Sequence, residues 1–350
     1  MDSSLTRSRW APLALLTLLA IVASACGGGT TPTRSPTGVA TASPGGGAAS
    51  PSAAATEDAP SPPAPASGGT TVDLTGASFT VSSKEFTEQL ILGEITVQVL
   101  ENAGATVDNQ VGLIGSDVVR GALISGDIDM YWEYTGTGWI NHLGNTTPVV
   151  GTEEQYVAVR DADAANGIVW LEPAPLNNTY AIAVASETAT ELSLTTLSDL
   201  AAYAAENPEG TTLCAASEYQ NRDDGLPGLE AAYGFDFSDV ATVELGLIPD
   251  QIDSGETCVF GEVFATDSRM AALGLTVLED DLAFNAVYEP SLNVRQEVFD
   301  ANPGLADLFA PVAAGLDTVT MTGLNSKVDQ GGENEVDVAA DFLQGLGITE

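Results

Sequence analysis

Strand-like and helix-like apolar patterns alternate along the chain from about residue 79 onward. The first three predicted strands cover residues 79–82, 107–113 and 128–132. Between the first two, residues 87–102 predict a helix that carries Ile91, Ile95 and Val99 on one stripe. A second, shorter helix is predicted to begin at Ser116. This β-α-β-α-β order indicates a parallel sheet with crossover helices and therefore an α/β fold.

A second α/β unit follows the first. Its predicted strands are 179–185 and 212–215, and its helices are predicted near 198–205 and 226–234. The predicted helix N-caps are Thr87, Ser116 and Ser198. The chain then returns to the first unit through residues 286–295 and ends in helices. We therefore expect a first lobe of residues 78–178 plus 286–350 and a second lobe of residues 179–285.

The amino terminus resembles an export signal. Arg7 and Arg9 precede an apolar run, residues 11–22, that is too short to span a bilayer. Residues 23–26 then resemble a lipoprotein cleavage box, although Ala23 stands where such boxes prefer leucine. We predict a signal peptide of residues 1–25 and an acylated Cys26. An ordinary secretory signal with an incidental cysteine is the alternative.

Residues 27–76 consist almost entirely of Gly, Ala, Ser, Thr and Pro. Such a segment buries too little apolar surface to offset its ordering entropy, so residues 26–77 are predicted to form a disordered tether. No later segment approaches the length of a membrane span. The prediction is an extracytoplasmic protein that is attached to the cell membrane only through its lipid anchor.

Two cysteines remain after Cys26. An exported protein folds in an oxidising compartment, so Cys214 and Cys258 are predicted to form a disulfide. Two separate buried thiols are the alternative, since free cysteine is commonly buried.

The formal net charge is −39, and His142 is the single histidine. Phosphates would be repelled, so the charge excludes a nucleic-acid partner. One histidine cannot supply a zinc cluster of several histidines, and no partners for a histidine-based triad are present. The sequence therefore predicts no enzyme, no metal site and no cofactor.

An aromatic run, Met130 to Gly138, ends the third predicted strand. It sets Tyr131, Trp132 and Tyr134 beside a hydroxyl and flexible glycines. Ring faces attract a methylated ammonium by about 0.5–2 kcal/mol per contact. The other interpretation is a core strand whose aromatic side chains only pack. Lys84 and Tyr134 both fall at carboxyl ends of strands, where ligands of such sheets bind.

Five runs along the globular part resemble one family in the same order. They are Ser83 to Gln89, Glu133 to Thr137, Asn177 to Tyr180, Arg222 to Leu229, and Phe264 to Asp267. The chain resembles the substrate-binding proteins of ABC importers for quaternary amines. That resemblance implies a two-lobed, type II periplasmic-binding-protein-like α/β fold with a ligand cleft between the lobes.

The resemblance also implies the residues of the site. The ligand's ammonium group would lie in an aromatic box, and its carboxylate or hydroxyl would meet three polar residues. The box is Tyr134, Tyr180, Phe264 and Tyr288, and the polar residues are Lys84, Thr137 and Arg222. Phe264 departs from the tyrosine that is common in the family. Core packing is the alternative for each aromatic residue, and an ion pair with a nearby acid such as Glu85 or Asp223 is the alternative for each cation.

The resemblance further implies a monomeric receptor for glycine betaine, choline or carnitine that delivers its ligand to an ABC permease. A sensory lipoprotein of the same fold, without a transport role, is the second hypothesis. An extracytoplasmic enzyme that uses acidic residues is the third. The sequence leaves the choice of quaternary amine open.

Overall fold

The computed structural model describes residues 72–349. Within them, ten strands form two five-stranded sheets. The strands are β1 (Ser78–Ser82), β2 (Thr106–Gln110), β3 (Met130–Tyr134), β4 (Ile168–Trp170), β5 (Tyr180–Ala185), β6 (Thr212–Ala215), β7 (Asp239–Thr242), β8 (Phe260–Phe264), β9 (Leu275–Val277) and β10 (Pro290–Arg295). The predicted signal, Cys26 and most of the predicted tether lie outside the described residues.

Helices connect and cover these strands. They are α1 (Thr87–Asn102), α2 (Ser116–Ser125), α3 (Thr135–Thr137), α4 (Thr152–Asp163), α5 (Ser186–Leu192), α6 (Leu197–Glu206), α7 (Leu226–Tyr233), α8 (Ile248–Ser254), α9 (Arg269–Ala272), α10 (Gln296–Ala301), α11 (Leu305–Gly315), α12 (Thr318–Asp329) and α13 (Glu335–Gly345). A π-helical turn, Gly138–His142, continues α3. No helix among residues 72–349 combines the length and apolar character that crossing a membrane requires.

The first sheet has the order β2-β1-β3-β10-β4. Strand β1 runs parallel to β2 and β3, as the alternating pattern predicted. Strand β10 runs antiparallel to β3 and β4, and it pairs Pro290 with Tyr134 at the end of β3. Proline is tolerated there because it is the first residue of its strand. We call this sheet and its helices the first lobe.

The second sheet repeats this order as β7-β6-β8-β5-β9. Strand β6 runs parallel to β7 and β8, while β5 runs antiparallel to β8 and β9. We call this sheet and its helices the second lobe. The chain passes between the sheets twice, between β4 and β5 and again between β9 and β10. Two connecting segments therefore join the lobes.

Each lobe has its own apolar core. In the first lobe the predicted stripe of α1, Ile91, Ile95 and Val99, is fully buried against β1 and the carboxy-terminal helices. Leu74 belongs to this core and is 6% exposed, and its N–H donates to the carbonyl of Ala103 at 2.8 Å. The packed part of the chain thus begins before residue 78, within the segment that composition assigned to the tether.

Two predicted strands differ from the observed ones by more than one residue at an end. Strand β3 begins at Met130 because the N–H groups of Asp127 and Ile128 donate to Ala122 at the end of α2. Tyr134 is consequently the last residue of β3. Strand β2 ends at Gln110, before Gly112 adopts a φ of +99° that ordinary side chains disfavour.

All three predicted N-caps are displaced. Thr87 is the first residue of α1, and its hydroxyl donates to Asp329 Oδ1 at 2.7 Å. Ser116 likewise lies inside α2, after Gly115. In α6 the cap is Thr196, which forms a capping box with Asp199. A threonine with a matching acid three residues later was the stronger signal at that position.

A disulfide joins Cys214 in β6 to Cys258, just before β8, with the two Sγ atoms 2.01 Å apart. Both residues are buried. Since β6 and β8 are neighbours in the second sheet, the bond links adjacent elements beside the core of that lobe.

Candidate functional site

A cleft of about 700 Å³ lies between the two lobes. From the first lobe it is lined by the loop after β1, the end of β3 and Tyr288 shortly before β10. From the second lobe it is lined by β5, the loop after β6 and the end of β8. The predicted site residues Lys84, Tyr134, Thr137, Tyr180, Arg222, Phe264 and Tyr288 all line it. The topology thus brings together residues that lie up to about two hundred positions apart.

The four predicted aromatic residues belong to one apolar group, in which Tyr180, Phe264 and Tyr288 are in direct ring contact. Tyr180 is opposite Phe264 in the pairing of β5 with β8, and their ring centroids are 5.2 Å apart. Tyr288 meets Tyr180 edge-on at 5.5 Å. Gly136 permits the position of Tyr288, because a Cβ there would approach its ring to 2.6 Å.

Phe86 is a fifth ring that the sequence analysis missed. Its centroid lies 5.1 Å from that of Phe264 and 6.2 Å from that of Tyr134, so it bridges the lobes. It stands in the loop that carries Lys84, directly before α1. Its position within the motif Ser83 to Gln89, beside a predicted ligand residue, was the available signal.

Hydrogen bonds to buried acids hold two of the tyrosine rings. The Tyr134 hydroxyl donates to Glu88 Oε1 at 2.7 Å, and the Tyr288 hydroxyl donates to Asp224 Oδ2 at 2.7 Å. Burial raises the pKa of both hydroxyls well above their ordinary value, and the nearby carboxylates raise it further. Burial also raises the pKa of Tyr180. The rings therefore remain neutral and keep electron-rich faces.

Lys84 is buried in an ion pair. Its Nζ donates to Glu133 Oε1 at 2.6 Å and lies 5.2 Å from the centroid of Tyr134. Glu133 Oε2 lies 2.8 Å from His142 Nε2. Burial alone would raise the pKa of Glu133, but Lys84 and His142 hold it well below its ordinary value. Glu133 therefore balances the charge of Lys84.

Arg222 is also fully engaged. Its Nε and one terminal nitrogen bind both oxygens of Asp224, at 2.8 and 2.6 Å, and the other terminal nitrogen binds Glu218 at 2.7 Å. The guanidinium carbon lies 5.4 Å from the centroid of Tyr180, and Thr137 Oγ1 accepts a further bond at 3.3 Å. Ion pairing was the alternative interpretation for both cations, but the nearby acids Glu85 and Asp223 proved to be the wrong partners.

Contacts between the lobes surround the aromatic group. Thr266 Oγ1 lies 2.7 Å from Glu88 Oε2, and the N–H of Ser116 donates to Glu218 Oε2 at 3.0 Å. Ser116 is the first residue of α2, where exposed N–H groups favour an anion. Each lobe thus supplies an acid or a hydroxyl that meets the opposite wall of the cleft.

Carboxyl groups outnumber cations along the cleft. The lining cations are Lys84, Arg222 and Arg269, and the lining acids are Glu85, Glu88, Asp117, Glu218, Glu244, Glu262, Asp267 and Asp329. Arg269 is paired with Asp267 at 2.7 Å. Every lining cation therefore has a carboxylate partner, and the surplus charge is negative. Within residues 72–349, no group of three or more His, Cys, Asp or Glu is arranged to hold a metal ion.

Comparison with known proteins places this site in a family context. Residues 77–345 match the family model described as the substrate binding domain of an ABC-type glycine betaine transport system. A glycine-betaine-binding protein of Pseudomonas aeruginosa is 38% identical over 273 residues, which cover 75% of this chain and 86% of that protein.

Two solved structures show the same architecture. The structure of apo YehZ from Escherichia coli matches with a TM-score of 0.59 and 34% sequence identity. The match covers 78% of this chain and 100% of the YehZ chain. That of a glycine betaine/carnitine/choline ABC transporter has a TM-score of 0.62 and 26% identity, with 77% and 99% coverage. The predicted type II two-lobed α/β fold is confirmed.

Proposed function

This chain belongs to the substrate-binding domains of ABC-type glycine betaine transport systems, and from that premise we propose that its cleft binds a small quaternary ammonium compound for delivery to an ABC permease. The predicted class of protein, a substrate-binding protein of an importer, is confirmed by the family match. Proteins of this class act outside the cytoplasm, and the family is one of binding proteins rather than enzymes.

The aromatic group carries the proposal for the ligand. Five rings from both lobes line one cleft, and the buried tyrosines among them are neutral. A quaternary ammonium cannot donate hydrogen bonds, so ring faces are the partners that suit it best. The excess of carboxylates raises the local concentration of cations and disfavours anions. Each desolvated contact contributes about 2 kcal/mol, so several rings together supply a large part of the about −8 kcal/mol that corresponds to a micromolar dissociation constant.

The two passages of chain between the sheets suit a hinge. Because Phe86 and Tyr134 belong to the first lobe and Tyr180 and Phe264 to the second, a ligand between them would favour the closed arrangement. The contact of Ser116 with Glu218 would support the same arrangement. We infer that the permease recognises this closed form.

The remaining assignments extend the same proposal. Acylation of Cys26 would attach the protein to the membrane surface, and a tether before residue 72 would let it reach the permease as a monomer. Transport and sensing differ in one observable: deletion of the gene would abolish ligand uptake for a transport protein and leave uptake intact for a sensor.

Isothermal titration of the purified protein with glycine betaine, choline and carnitine tests the ligand class. We expect binding of at least one, weakened about tenfold or more in Tyr134→Ala and in Tyr180→Ala, since each variant loses one ring face (about 1.4 kcal/mol or more). Tyr203→Ala is the matched control, because Tyr203 lies on α6 and does not line the cleft. Unchanged titrations in both site variants would remove these tyrosines from the site.

A further inference from the structure

Glu262 lies beside the aromatic group without being part of it. It precedes Phe264 by two residues on β8, so both side chains project from the same face of the sheet, roughly 6.6 Å apart along the strand. Across the sheet, Tyr180 is opposite Phe264 and Ile182 is opposite Glu262. Glu262 is 2% exposed and lines the cleft. A ligand between the rings therefore has this carboxyl group next to it.

The carboxyl group of Glu262 has few partners in the described structure. The N–H of Ala216 donates to Oε2 at 2.8 Å, and Oε1 receives no hydrogen bond from residues 72–349. The guanidinium of Arg222, which also lines the cleft, is bound to Asp224 and Glu218. Oε1 is accessible from the cleft rather than sealed in the core, so a bound ligand can reach it. The arrangement leaves room for a donor that the protein itself does not supply.

The cations that line the cleft are already paired with acids of the protein. A ligand carboxylate would need an unbalanced cation, but Lys84 is paired with Glu133, and Arg222 is paired with two acids. Such a carboxylate would also face Glu218, whose carboxyl group lines the same cleft. A quaternary ammonium held by the rings, by contrast, would favour the ionised form of Glu262 and strengthen it as an acceptor.

We propose that Glu262 is a specificity-determining residue, which accepts a hydrogen bond from the polar end of the ligand and so selects a quaternary ammonium compound that ends in a donor, such as an alcohol, over one that ends in a carboxylate. This inference rests on the proposed function, because it assumes that the ammonium lies among the rings. It departs from the expectation that Lys84 and Arg222 meet a ligand carboxylate.

Three probes that share a methylated ammonium separate the contribution of the ligand's polar end from that of its ammonium group. Choline carries a hydroxyl, glycine betaine a carboxylate, and tetramethylammonium neither. Titration of the wild-type protein should give choline a dissociation constant at least about tenfold lower than that of glycine betaine, the gain of one charge-assisted hydrogen bond. In Glu262→Gln this ratio should fall to near one, and choline should lose more affinity than tetramethylammonium, which has no polar end to lose a hydrogen bond.

Glu206→Gln is the matched control, because Glu206 is an exposed acid of the second lobe on α6, outside the cleft. It should keep the wild-type ratio, which excludes a general effect of net charge. Tighter binding of glycine betaine than of choline by the wild-type protein would overturn the inference while leaving the proposed function intact. That ranking requires no variant, so misfolding cannot obscure it. No binding of any probe would overturn both.

Discussion

Glu133 and Glu262 are buried carboxyl groups at the same topological position of two similar sheets. Each lies on the middle strand of its lobe, β3 in the first and β8 in the second. Glu133 meets the Lys84 ammonium, the Tyr131 hydroxyl, the His142 ring and the Tyr134 N–H, whereas Glu262 accepts one backbone hydrogen bond. Lys84 and His142 lower the pKa of Glu133 against the effect of burial, but burial raises the pKa of Glu262 to about 8. Partners rather than depth decide the charge of a buried acid.

The largest expected effect is on stability, from removing the charge of Glu133. Glu133→Gln leaves the buried Lys84 ammonium without its counter-ion, so the free energy of unfolding should fall by about 3–5 kcal/mol. Urea denaturation at pH 7 measures it. The double variant Lys84→Met/Glu133→Gln should recover most of the loss, because no uncompensated charge remains. A loss below about 1 kcal/mol in the single variant would mean that the pair is not desolvated as the structure indicates.

The pH dependence of stability should have opposite signs for the two acids. Unfolded glutamate loses its proton near 4.5, whereas Glu262 in the folded protein keeps it until about pH 8. The unfolded state therefore binds fewer protons across this window, and stability falls with rising pH by at most about 1.4 kcal/mol per unit. For Glu133 the contribution is present above pH 4.5 and is lost as the pH falls below that value.

Glu262→Gln should therefore gain stability relative to wild type as the pH rises from about 5 to about 8, and the gain should level off above that range. Thermal or urea unfolding at several pH values gives this difference directly. Glu206→Gln, which alters an exposed acid, should track the wild type throughout. A constant difference between Glu262→Gln and wild type would show that Glu262 ionises normally.

The smallest expected effect concerns Glu88, a third buried acid of the cleft. Burial raises its pKa, although Thr266 and Tyr134 hydrogen bonds oppose the shift. Tyr134→Phe removes one donor but keeps the ring, so we expect a stability loss of about 1 kcal/mol and a change in ligand affinity below about threefold. Chemical denaturation and titration of the same sample measure both. An affinity loss as large as that of Tyr134→Ala would mean that the hydroxyl, rather than the ring face, contacts the ligand.

Local patterns were sufficient for the order of elements in the first β-α-β-α-β unit, whereas the family resemblance supplied most of the cleft residues. The stripe of α1 and the strand at 212–215 follow from apolar periodicity alone. Tyr134 and Tyr180 lie within two of the family motifs, and Tyr288 was carried over from the same resemblance. The sheet topology places all three along one cleft.

Long-range pairing was not predictable in the same way. Lys84 pairs with Glu133, 49 residues away, rather than with its neighbour Glu85. Glu88 and Thr266 are separated by 178 residues, so no spacing rule links them. Glu262 lies in none of the motifs. Its protonation depends on how few hydrogen-bond donors the fold places around its carboxyl group. In a chain this rich in acids, composition cannot single out the acid that lacks a partner.

Both ends of the described chain belong to the first lobe. Leu74 packs in its core together with Val338 and Phe342 of α13, and the second lobe is inserted between β4 and β10. An attachment at either end therefore restrains the first lobe alone. A surface-immobilised or fused version of this protein should keep its second lobe free to swing, which makes the termini suitable handles and the second lobe the suitable place for a fluorescent reporter of closure.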